Sequence, residues 1–192
     1  MRNKNLPSLF SDFAYNFSPS DLPISSSSIF KICLADWVSV SIAAQGSNIA
    51  KIILSLTKEE GRVQDSFIFG HKSYVSCKTA ALINGTISHA LDYDDTHFDY
   101  LGHPSVVVLS AALAISDKYK LNFEEFKNAS IIGMETSCRI GKWLGRKHYR
   151  GGFHITSTSG IFGATIAVSK LMGLSSEQIE NLVLLNNKFN FF

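Results

Sequence analysis

The strongest constraint on this chain is the step at which its apolar residues recur. Over most of the sequence they return every three or four positions, which places them on one face of a 3.6-residue helix. The chain is therefore predicted to be all-α, a multi-helix body built by stacking such faces. Ile29, Ile32, Cys33, Trp37, Val40 and Ala44 define one buried face of a first long helix. Serines 25–28, after Pro23, offer hydroxyl caps for its first turn. Gln45-Gly46-Ser47 breaks it, and Ile49, Ile52, Ile53 and Leu56 define a second amphipathic stretch that stops near Gly61. Only Val63–Phe69, closed by Gly70, reads as extended.

Helical spacing resumes from Ser73 to Ala90, with Ala80, Ala81, Asn84, Ile87 and Ser88 on one side. Val106–Tyr119 is apolar nearly all round and should be buried, with Pro104 at its start, where a missing N–H costs nothing. Phe123–Leu144 is amphipathic, and Arg146–Phe153, basic and glycine-rich, reads as a loop. Thr156 or Ser157 could cap the helix that follows to Met172, whose Gly160, Gly163, Ala164 and Ala167 form a stripe for close packing. Ser175-Ser176-Glu177-Gln178 starts a last helix with its acid in the first turn.

With 192 residues the chain has room for one domain, and it reads as a single helical domain over residues 1–192. Charged residues are only 18%, against roughly 25% in an average domain. Part of the exterior is therefore expected to lie under another subunit or domain. A net charge of +2 argues against nucleic-acid partners. Three scattered cysteines, Cys33, Cys77 and Cys138, offer no metal or redox motif and suit a reducing compartment. Pro7, Asp12 and Pro19 spoil any leader-like apolar run, and the longest uncharged stretches fall short of about 18 residues. No membrane segment and a cytoplasmic location are the expectations.

The densest chemistry lies between two apolar helices, from His89 to Ser105, where four carboxylates and three histidines share a short loop. Crowded carboxylates repel and raise some pKa values, and imidazoles beside them titrate near neutrality, which is how general acid–base sites are built. A solvated polar loop is the plain alternative. A metal site is another. Asp92-x-Asp94-x-Thr96 starts like a calcium loop but has His97 where glycine is needed and His103 where a glutamate is needed. Asp94-Asp95-x-x-x-Asp99 resembles a magnesium-binding acidic motif, yet only scattered acids such as Glu124, Glu125 and Glu135 could complete it. Arg146–Thr156 is either a set of cations offsetting a helix C-terminus or a site for an anionic substrate. In the second reading Gly151-Gly152 lets the backbone approach the ligand and His154 faces it. His71 and His148 read as surface residues.

Several segments together resemble the MmgE/PrpD family, which contains 2-methylcitrate dehydratase and cis-aconitate decarboxylase. They are Asp36-Trp37, Ala80-Ala81-Leu82-Ile83-Asn84-Gly85, His89 through His97, His103-Pro104-Ser105, Gly133-Met134-Glu135, Gly152-Phe153-His154, Gly160 through Ala164 and Leu171-Met172-Gly173-Leu174. The resemblance runs from about Leu9 to Leu185 and leaves residues 186–192 unlike the family. It implies the family's N-terminal helical domain, a homodimer, no metal or organic cofactor, and a small di- or tricarboxylate substrate. On matching positions it implies that Asp92, His103 and His154 are catalytic and that Thr96 binds substrate.

The implied activity is that of a hydro-lyase of the 2-methylcitrate dehydratase type. One group removes a proton beside a carboxylate while another protonates the departing hydroxyl. Decarboxylase or epimerase chemistry of the same family, and a non-catalytic dimerising remnant, are the alternatives. Two residues depart from the pattern: Ile155 replaces a proline after Gly-Phe-His, and Ser110 replaces another. Family chains are longer, and their later half supplies lysine and tyrosine contacts to the substrate. The chain thus reads as a truncated or split member, with a separate C-terminal half as a possible partner.

Overall fold

A side-chain hydrogen-bond cap precedes four of the eight α-helices in the computed structural model, which describes residues 6–58 and 63–189. Ser47 accepts from the Ala50 N–H (3.1 Å) and starts α3 (Asn48–Leu54). Ser76 accepts from the Thr79 N–H (3.3 Å) and starts α4 (Cys77–His89). Pro104 opens α5 (Pro104–Tyr119). Asn122 and Glu125 cap each other's backbone at α6 (Phe123–Arg150), and Ser175 and Gln178 do the same before α8 (Ser176–Phe189). Together with α1 (Leu6–Asn16), α2 (Ile24–Ala43) and α7 (Ile155–Leu171), these make an all-helical body. α8 ends at Phe189, and the rest of the phenylalanine-rich end lies outside the described residues, as does Gly61.

One small hairpin interrupts the helices. β1 (Ser66–Phe67) pairs antiparallel with β2 (Tyr74–Val75), Ser66 opposite Val75. β1 falls inside the stretch expected to be extended; β2 falls where helix was expected. The hairpin is docked through its backbone: Asn84 accepts from the Phe69 N–H (2.9 Å), and Asp117 from the Phe67 N–H (2.8 Å). Those bonds fix β1, and Tyr74 and Val75 are held extended by pairing with it.

Three apolar clusters fill the interior. Ala44, Ala50, Ile68, Val75, Ala80, Ile83 and Ile87 pack beneath the hairpin. Phe30, Trp37, Val108, Leu109, Ala112 and Phe126 form the centre, and Ala14, Ile132, Ile140, Phe162, Ile166, Ile179 and Val183 join α1 and α8 to α6 and α7. Between α6 and α7 the backbones nearly touch. A Cβ on Gly133 would sit 2.7 Å from the Gly163 carbonyl, and one on Gly163 would overlap Ser137 and the Gly133 carbonyl. The small-residue stripe is thus a packing device.

Three expectations are corrected. Ile29 and Ile32 are 58% and 69% exposed; the buried face of α2 is Phe30, Trp37, Val40 and Ser41. α2 is apolar all round, so periodicity alone could not choose its inner side. For the same reason Ile24–Gly46 is long and apolar enough to cross a membrane by length and composition alone, a test that the core helix of a packed domain also passes. Its inner face nevertheless lies in the central cluster. Second, Ser25–Ser28 lie inside α2, and no side chain caps it. Third, Arg146–Arg150 is a helical turn rather than loop, set off from the rest of α6 by a kink at Gly145 (φ 66°, ψ −174°), backbone that glycine adopts without strain.

Candidate active site

The chemistry-bearing loop leaves α4 at His89 and enters α5 at His103. Asp92, in left-handed backbone (φ 55°), starts the reversal, and a bridge between His97 and Gly102 closes it. Asp95 anchors the loop from below. Its N–H donates to Asp36 on α2 (2.9 Å), and its carboxylate accepts from the Ser105 hydroxyl (2.5 Å) and N–H (3.2 Å). Burial pushes the Asp95 pKa up. Cys33 sits beside it, its thiol pushed up to about 11 by burial and then by the Asp95 charge, which makes it inert.

Asp94 is the hub. Its side chain is fully buried, and it holds two imidazoles. The His89 Nδ1 lies 2.8 Å and 3.0 Å from its two oxygens. The His103 Nδ1 lies 3.3 Å from its Oδ2 and 3.1 Å from its carbonyl. A carbonyl can only accept, so Nδ1 of His103 carries the hydrogen and Nε2 is the working nitrogen. Both Asp94 oxygens face the His89 Nδ1, which favours the same tautomer on His89. Thr156, expected as a helix cap, instead accepts from the His103 N–H (3.0 Å) and ties the loop to α7.

The four residues singled out from sequence come together here. His103 Nε2 lies 3.4 Å from the exposed Asp92 carboxylate. His154 stands at the N-terminus of α7, its ring stacked on that of His89 at 6.2 Å, while His89 and His103 are 4.7 Å apart. Partial burial, then His89 and His103, hold the His154 pKa below the ordinary imidazole value. Thr96 lines a cavity of about 470 Å³ with His103. His89 lines a second, apolar one of about 560 Å³ with Ile49, Leu82, Gly85 and Val106.

Sequence reasoning did not assign roles to His89 and Asp94. Their signal was present: an imidazole at a helix end followed five residues on by an acid that the loop folds back. His148, expected at the surface, is half-buried, stacked on Phe153 at 4.7 Å with Nε2 2.9 Å from the Thr158 hydroxyl. His89, Asp92, Asp94 and His103 present donor atoms within 4.8 Å of one another, a mixed nitrogen–oxygen set that could take a transition-metal cation.

Fold and site define a helical domain with a cluster of imidazoles and carboxylates at the α4–α5 loop. The chain belongs to the MmgE/PrpD family, whose N-terminal domain it matches over residues 8–185. It is 29% identical over 124 residues to the cis-aconitate decarboxylase-like protein oryM of Aspergillus oryzae, covering 60% of this chain and 26% of that one. To the cis-aconitate decarboxylase of Aspergillus terreus it is 27% identical over 120 residues (59% and 24%). To that of Mus musculus it is 27% identical over 151 residues (76% and 31%). The chain thus spans between 24% and 31% of the length of these relatives.

Proposed function

We propose that this domain carries the proton-transfer half of a lyase that acts beside a carboxylate of a small di- or tricarboxylate, as a hydro-lyase of the 2-methylcitrate dehydratase type. The observation that carries this reading is the pairing of His154, held toward its neutral form, with two imidazoles whose tautomers Asp94 sets. A neutral imidazole accepts the proton from the carbon next to the carboxylate. His103, keeping its Nδ1–H on Asp94, takes a second proton on Nε2 beside Asp92 and passes that proton to the departing hydroxyl, returning to the neutral ring. Thr96, beside His103, donates a hydrogen bond to substrate. A homodimer accounts for the isoleucines that α2 and α3 expose, Ile24, Ile32 and Ile52 among them.

The relatives favour a second reading, decarboxylation of cis-aconitate, in which one histidine protonates the carbanion left by carbon dioxide. The test incubates the chain, alone and with the C-terminal part of a relative, with 2-methylcitrate, citrate and cis-aconitate. Water loss is followed by ultraviolet absorbance of the new double bond, and decarboxylation by released carbon dioxide. Turnover that His103→Asn and His154→Asn abolish supports the reading. Absence of turnover on every acid, or turnover that survives both substitutions, sinks it.

A further inference from the structure

The kinked turn after Gly145 places two guanidinium groups opposite the catalytic loop. Arg146, Tyr149 and Arg150 line the 470 Å³ cavity together with Thr96, His97 and His103. Their spacing of three and four puts the first three on one helical face. His148 points the other way, held by Phe153 and Thr158, and so pins the turn against α7 while the arginines face the loop.

The charge pattern is one-sided. Among the described residues that line the cavity none is acidic, although Asp92 stands 3.4 Å from the His103 Nε2 at its edge. Asp99, on the same loop, is already taken by Lys142 at 2.8 Å. Among the described residues neither Arg146 nor Arg150 has an acidic partner within ion-pairing distance. The His97 Nδ1 accepts from the Tyr100 N–H (3.2 Å), so its Nε2 carries a hydrogen and is a further donor at this wall.

We propose that Arg146 and Arg150 form a carboxylate-anchoring subsite that holds a small polycarboxylate by the end remote from its reacting carbon, beside His103. The proposal rests on the lyase reading and adds a specificity element to it. Guanidinium forks match carboxylates with two parallel hydrogen bonds, which a lysine ammonium cannot reproduce. Such an anchor selects acids with a second carboxylate over monocarboxylates.

The test uses citrate as the probe, with calorimetry on the chain and on Arg146→Gln/Arg150→Gln and Arg146→Lys/Arg150→Lys. Both arginines are exposed, and circular dichroism verifies the fold of each variant. Charge-assisted hydrogen bonds contribute on the order of 1.5–3 kcal/mol, so the glutamine pair is expected to weaken citrate binding by about 10- to 100-fold. The lysine pair should recover only part of that. Equal affinity in all three proteins, or an unmodified chain that binds no citrate, overturns the proposal. Arginine-dependent binding without turnover leaves the subsite standing and removes the lyase reading. Turnover with an unchanged KM in the glutamine pair does the reverse.

Discussion

The seam between α6 and α7 and the loop between α4 and α5 make opposite uses of small and polar residues. In the seam, what matters is the missing side chain: Gly133 and Gly163 let two backbones touch, and an added methyl has nowhere to go. In the loop, what matters is a single buried carboxylate, Asp94, on which the orientation of two exposed-edge imidazoles depends. The seam is governed by volume, and the loop by the charge at Asp94. Stability and chemistry are therefore separable by mutation.

The largest effect should come from the seam. Gly163→Ala, forced against Ser137 and the Gly133 carbonyl, is expected to cost about 3 kcal/mol, read as a fall in denaturant midpoint. A neutral outcome would mean that the helices can separate, and the contrast would fail. Next, Asp94→Asn keeps the volume but can present its amide to an imidazole nitrogen that should meet an acceptor. Turnover should drop about 100-fold or more with secondary structure intact.

His154 gives a smaller, pH-dependent signal. Its folded pKa lies below the unfolded 6.5, so the folded state binds that proton less readily. Its contribution to stability is complete above about pH 6.5 and is lost as pH falls through the window below it. As a base it stays competent in the same window, which puts the acid limb of kcat/KM under 6.5. His154→Gln should flatten the stability profile and, like His154→Asn, abolish turnover. The smallest effect is Lys142→Ala, which breaks a pair with Asp99 between two exposed side chains and should leave the melting temperature unmoved.

Much of the fold is legible in the chain because helix periods, capping residues and prolines are local signals. Pro104 and Ser175 each mark a helix start that the structure keeps. Long-range choices are not local. α2 is apolar on every side, so the inward turn of Phe30 and outward turn of Ile32 follow from what packs against it. Tyr74 and Val75 are extended because Ser66 and Phe67 pair with them. In the site, the density of acids and histidines marks the loop, but which acid is buried depends on how the loop reverses. That reversal hides Asp94 and exposes Asp92.

The left-handed backbone of Asp92 sets stability against chemistry. Holding a residue other than glycine in that conformation costs on the order of 1–3 kcal/mol. Glycine relieves the strain at one stroke and deletes the carboxylate facing His103 at the same stroke. Position 92 is thus a place where a sturdier backbone and the carboxylate beside His103 exclude one another.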